Sequence, residues 1–178
     1  MKGTKIMKKL LFSIGILMLF VSCEQVTKQN YATCYFLRNS TEVDVSYGVV
    51  TVEENHFVPI SALLGPEVEM ILDYVVCDSF ATDRNLFINP YKCLTDDESP
   101  SAVFLAIGDT IYKMDPKAKD GMFYSGNYIE VAEDDVFRRE MKHMGINADH
   151  AKIYLFPITR EWLNTLQISS TNGTIPLP

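Results

Sequence analysis

The side chains that could carry covalent or metal chemistry are few: four cysteines, three histidines and one serine set among aromatic and small residues. Zinc wants its ligands at fixed short spacing. His56, His143 and His150 are scattered, and neither HExxH nor CxxC occurs. His143 and His150, with Asp149 beside the latter, could meet only if the chain after residue 145 folds back. Calcium needs several oxygens from one loop, and the stretch 115–121, DPKAKDG, places lysines where acceptors belong. Hydrolysis through a nucleophile needs serine or cysteine near a base. Ser125 lies in FYSGN, but Phe123 stands where a GxSxG turn has its first glycine. Two opposed carboxylates would suit glycoside hydrolysis, yet 23 acidic residues offer too many pairs to select one. With no phosphate loop and no dinucleotide fingerprint, the sequence implies no metal and no cofactor, and it reads as non-enzymatic. A hydrolase using facing carboxylates, or Ser125 with His143 or His150, is the minor alternative.

Cys23 has a different chemistry available. Lys2, Lys5, Lys8 and Lys9 precede an uncharged run from Leu10 to Val21. As a helix that run is about 18 Å long, short of the roughly 20 apolar residues a membrane span requires. A basic leader and a short apolar run are the anatomy of a secretory signal. The run ends at Phe20-Val21-Ser22-Cys23, which resembles a bacterial lipobox, with Phe20 in place of the commoner leucine. In such a sequence the cysteine sulfur takes a diacylglyceryl group and cleavage leaves the cysteine as the acylated first residue. One acyl chain holds a protein only marginally, whereas two or three anchor it stably. Glu24 and Gln25 follow, so the resemblance implies the outer membrane, with the leaflet open.

Residues 23–178 carry 12 basic and 23 acidic residues, a net charge of −11. That balance argues against nucleic acid, whose recognition needs clustered Lys and Arg, and against a polybasic membrane patch. The acidic clusters at 96–98 and 133–135 read as solvated charge. Cys34, Cys77 and Cys93 allow at most one internal bridge in an exported protein. Cys77 with Cys93 is the pair their flanking segments favour, and three buried thiols are the other reading.

The elements that must position these residues are mostly strands. Residues 31–37 and 43–49, separated by Arg38-Asn39-Ser40-Thr41, read as a hairpin. Its second strand alternates Val43, Val45, Tyr47 and Val49 with Glu42, Asp44, Ser46 and Gly48, so one face is expected to be wet. Pro59 keeps 56–65 off a central strand. Residues 66–77 fit either period, and four β-branched or aromatic residues among the last seven favour a strand. A short strand is expected at 84–89, a hairpin of 101–107 with 110–114 about Gly108-Asp109, and further strands at 128–132 and 152–158. A helix is expected over 133–145, with acids at its start and Gly145 at its stop. A short helix capped by Thr159 follows.

Many short strands without a βαβ rhythm predict a mainly β protein, a single β-sandwich or small open barrel with one or two short helices. The domain plan is a signal peptide (1–22), a lipidated tether (23–30), one β-rich domain (31–168) and a flexible tail (169–178). Taken with Cys23, the stretches YFLRNSTEVDVSY, AIGDTIYKM and IYLFPITREWL are similar to the small envelope lipoproteins of Bacteroides and its relatives. The likeness touches about a third of the mature chain. It implies location and architecture, a β-sandwich on a lipid tether, more than an activity. The function expected is contact with other envelope proteins, from an anchor in the membrane at Cys23. The alternative is a surface glycan-binding module using the 122–128 loop, where Phe123, Tyr124 and Tyr128 could offer ring faces to sugars. Asp109-Thr110-Ile111 also resembles the sequon used for O-glycosylation in these bacteria, with Thr110 as the acceptor.

Overall fold

The computed structural model of the protein describes residues 29–53, 56–80, 86–90, 92, 94 and 102–175. The expected signal segment 1–22, the expected lipidation site Cys23, residues 24–28 of the expected tether and Cys93 lie outside the described residues. Two sheets face each other. One has the order β4-β1-β8-β7 and the other β3-β2-β5-β6-β9. The first is built from β1 (Tyr31–Asn39), β4 (Glu69–Cys77), β7 (Ile129–Val131) and β8 (His150–Ile158). The second holds β2 (Val45–Glu53), β3 (His56–Leu64), β5 (Ala102–Ile107), β6 (Thr110–Met114) and β9 (Ile168–Ser170). The protein is therefore mainly β, a β-sandwich with two short helices, α1 (Asp135–His143) and α2 (Arg160–Leu163).

Period-two alternation explains the layers. Tyr35 and Leu37 of β1, Tyr154 and Phe156 of β8, Tyr47 and Val49 of β2, and Val103 and Leu105 of β5 meet between the sheets. The alternate residues of β1 and β8, Ala32, Cys34, Phe36, Ile153 and Leu155, face outward and are covered by Phe137 and Met141 of α1 and by Ile146. Helix α1 starts where Asp134 accepts the Val136 and Phe137 N–H groups and ends before Gly145, at φ 69°. The sequence predicts a helix with acids at its start and glycine at its stop; the structure adds that Asp134 is the N-cap.

The expected hairpin of 31–37 with 43–49 does not form. β1 pairs antiparallel with β4 and parallel with β8, while β2 pairs with β3 and β5 in the other sheet. The reason lies in β1 itself, which is apolar at odd and even positions alike and so needs cover on both faces. The wet face expected of β2 is also covered in its second half. Val50, Ala102, Phe104 and Ile111 form a buried cluster on the outer side of that sheet, with Ile175 packed against it. The segment expected as a loose tail thus contributes an edge strand, β9, paired with β6, and an apolar contact. The expected strand at 84–89 is reduced, in its described part, to one isolated bridge between Phe87 and Tyr124. Pro59 sits on β3, an edge strand as expected. The hairpin of β5 and β6 turns at Gly108, at φ 54°.

Candidate functional site

A bulge decides what enters the space between the sheets. Tyr35 of β1 pairs with Asp73 and Phe36 with Ile71, leaving Leu72 as the extra residue of β4. Such a bulge re-aims the side chains around it, and here it turns Asp73 toward the face of Tyr35. The Asp73 carboxylate, buried, accepts the N–H groups of Tyr74 at 2.7 Å and Asn89 at 2.8 Å, and it pairs with Lys92 at 3.0 Å. Lys92 also donates to the Tyr74 carbonyl and lies 4.1 Å from the Tyr74 ring centroid.

Around this carboxylate stands a group of tyrosines. The Tyr35 ring is 5.4 Å from Tyr128 and 5.5 Å from Tyr154. Tyr47 donates to the Pro90 carbonyl, and Tyr128 donates to the Met122 carbonyl at 2.7 Å. Burial pushes the Tyr128 phenol well above its ordinary value, with Tyr47, Asp73 and Tyr35 adding to the shift. A raised acid pKa leaves stability unchanged while both folded and unfolded chains are protonated. Stability then falls as pH rises past the unfolded value of about 10, where only the unfolded chain releases the proton. Urea unfolding should therefore weaken between pH 9 and about pH 11. Tyr128→Phe should flatten that fall while costing about 1 kcal/mol at neutral pH. An unchanged alkaline slope in the variant would show that Tyr128 is not its source.

The 122–128 loop does not form an exposed aromatic platform. Phe123 and Tyr128 are buried in the main core, and Ser125 is buried as well. Only Tyr124 is half-exposed. Its ring lies over Gly126 and sits 5.4 Å from the ring of Phe87, which is exposed. The aromatics that composition offered to a sugar mostly close the core instead. The Ser125 hydroxyl accepts the Leu86 N–H at 3.0 Å. His150 stacks on Tyr31 at 5.1 Å, and His143 is exposed at the end of α1. Serine and histidines are not brought into one site. Among the described residues no three ligating side chains gather as a metal site. Cys77 is an exposed free thiol at the end of β4, and its expected partner Cys93 lies outside the described residues. Thr110 opens β6, half-buried, beside a turn whose Asp109 carbonyl accepts the Gly173 N–H at 2.9 Å.

A site that the sequence did not nominate lies at the far end of β1. Here the chain crosses from one sheet to the other, and the crossing is organised by Asn39, which has no exposed surface. Its amide donates to the carbonyls of Val43 and Leu64, each at 2.8 Å. Its side-chain oxygen accepts from the Thr41 N–H at 3.0 Å and the Thr41 hydroxyl at 2.7 Å. Its backbone bonds Val68 and Glu67, the latter in the left-handed region at φ 58°. Ser40 N–H reaches the carbonyl of Ile158, where β8 ends. The Asn39 side chain and backbone, with the Ser40 N–H, thus tie the start of β2, the β3–β4 turn and the end of β8 into a rigid rim.

Beside this rim opens a cleft of about 380 Å³. Thr41 and Val43 form one wall, Ile107 and Tyr112 of the β5–β6 hairpin the floor, and Arg160, Leu163 and Asn164 the other wall. Helix α2 is set there by Thr159, whose hydroxyl accepts the Trp162 N–H at 3.2 Å, as the sequence predicts. Arg160 pairs with Glu42 at 3.1 Å, both side chains being largely exposed. A second cleft of about 510 Å³ lies between α1 and residues 145–149. Much of its charge is already matched: Arg138 with Glu133 at 2.9 Å, and Asp149 with the Asn30 N–H at 2.9 Å. No local motif marks the cleft by α2, because its walls come from four separate segments. In comparisons with protein-family models, with curated proteins and with solved structures, nothing matches this chain.

Proposed function

We propose that this chain is an outer-membrane lipoprotein that works by binding and not by catalysis, its sandwich held on Cys23 and engaging other envelope proteins. The observation that carries the reading is Phe20-Val21-Ser22-Cys23 at the end of a short apolar run, eight residues before β1 begins. Residues 24–30 reach at most about 25 Å when extended, so an acylated Cys23 keeps the Tyr31 end of the sandwich near the bilayer. β1 then carries the chain about 26 Å away from it, to the rim organised by Asn39. Val43, Leu63 and Val68 are exposed on the segments that meet there, Leu63 at 66 %. Exposed apolar side chains on the segments at that end suit contact with a protein.

Intact mass of the detergent-extracted protein tests the anchor. The expected species begins at Cys23 and carries a diacylglyceryl group with a further acyl chain. Cys23→Ser should remain a full-length, unacylated precursor. A mature chain that begins elsewhere, or that begins at Cys23 without acyl mass, would refute the reading. Protease treatment of intact cells then assigns the leaflet: loss of the protein means the outer surface, and protection means the periplasmic side.

A further inference from the structure

The cleft beside α2 holds a feature that protein contact leaves unused. The Tyr112 hydroxyl and the Asn164 amide make no side-chain hydrogen bond among the described residues, and Arg160 pairs with the exposed Glu42. All three line the same 380 Å³ space, over a floor of Ile107 and the Tyr112 ring. We propose that this cleft binds a neutral saccharide, with an apolar sugar face laid on Tyr112 and Ile107 and its hydroxyls bonded by Asn164, Arg160 and the Tyr112 hydroxyl.

Other occupants fit the lining less well. A wholly apolar ligand would bury the guanidinium and the amide without partners, which costs free energy for each group. A strongly anionic ligand would have to displace Glu42 from Arg160 and lie near Glu161, in a mature chain of net charge −11. A peptide added as a strand needs an open sheet edge, but β2 and β6 are each paired on both sides. Sugars present apolar C–H faces and hydroxyls together, which is the mixture this cleft offers. The volume lies at the small end of ligand pockets, enough for a short segment of a chain. The inference stands apart from the anchor, since the lining is complete whether or not Cys23 is acylated.

The test uses the full-length protein in detergent and an array of neutral oligosaccharides of glucose, mannose, galactose, xylose and N-acetylhexosamines, followed by calorimetry on the best binder. Tyr112→Phe and Asn164→Ala each should weaken that binder about tenfold, the scale of one lost ligand hydrogen bond, with the thermal midpoint unchanged. Tyr112→Phe keeps the ring, so its folded state is not at issue. Overturning results are the absence of any binder tighter than about 10 mM, or binding that survives both variants in full. Selective capture of acidic sugars, lost with Arg160→Ala alone, would also refute a neutral ligand.

Discussion

Asn39→Leu is expected to lower the unfolding free energy by about 3–4 kcal/mol, seen as a shift of the urea midpoint at constant slope. Leucine fills much the same space, so the loss is not one of packing. The Leu64 carbonyl loses the amide donor and the Thr41 N–H loses its acceptor, while the Val43 carbonyl keeps the Thr41 hydroxyl. A buried group without a partner costs more than the hydrogen bond was worth. Asn39→Asp separates this account from a general intolerance of change. The introduced carboxyl keeps the acceptor for Thr41 but turns a second oxygen toward two carbonyls. Burial among acceptors should raise its pKa above the unfolded value of about 3.9. The variant should then be least impaired at acid pH, where it is protonated in both states, and lose stability as pH rises through that value. A variant with the same deficit at pH 3.5 and pH 7 would contradict the hydrogen-bond assignment.

Gly48→Val should cost at least about 3 kcal/mol. Gly48 sits inside β2, opposite Ser61 on one side and Phe104 on the other. A Cβ there would lie 2.5 Å from the tip of the Phe104 ring, 2.8 Å from the Ile60 carbonyl oxygen and 2.8 Å from the Ser61 Cβ. The aromatic ring covers the gap the glycine leaves, a device that shields the backbone of a strand. Phe104 is itself packed on Val50, Ala102 and Ile111, so it has little room to swing. Phe104→Ala alone should cost about 3 kcal/mol. In the double variant the two losses should sum to more than is observed, because the ring that the valine strikes is gone. Simple additivity would mean that the Ile60 carbonyl, and not the ring, limits the site.

These two residues also show where reading the sequence stops. Alternation along 43–49 identified a strand, the turn formers Gly108-Asp109 identified the hairpin of 101–107 with 110–114, and Thr159 and Pro59 marked a cap and an edge by local geometry. Each of those signals is satisfied within a few residues of where it is written. Asn39 looked like a turn former because turn formers are polar and small. It does bond Thr41 and Val43 nearby, but its further partners, at Leu64, Glu67 and Val68, are far away in the chain. The neighbour of β1 was missed for the same reason: alternation tells which face of a strand is apolar but not which strand lies beside it. Phe123, Tyr124 and Tyr128 show the ambiguity of composition, since rings that close a core and rings that greet a sugar are the same residues. The cleft by α2 could not be read at all, because Thr41, Ile107, Tyr112 and Arg160 become neighbours only when both sheets are in place.

The placement of β1 has a mechanical consequence. It is the strand that leads from the N-terminal side, and it is bonded along its length to β4 on one side and to β8 on the other. A pull between the Tyr31 end of β1 and the rim at Asn39 acts along this strand. Its two ladders must then slip together, each bond strained sideways at the same moment, where a strand peeled from an edge would give up its bonds singly. Tension in that direction loads both ladders at once, with α1 packed over the outer face of β1 and the buried crossing at Asn39 at its far end.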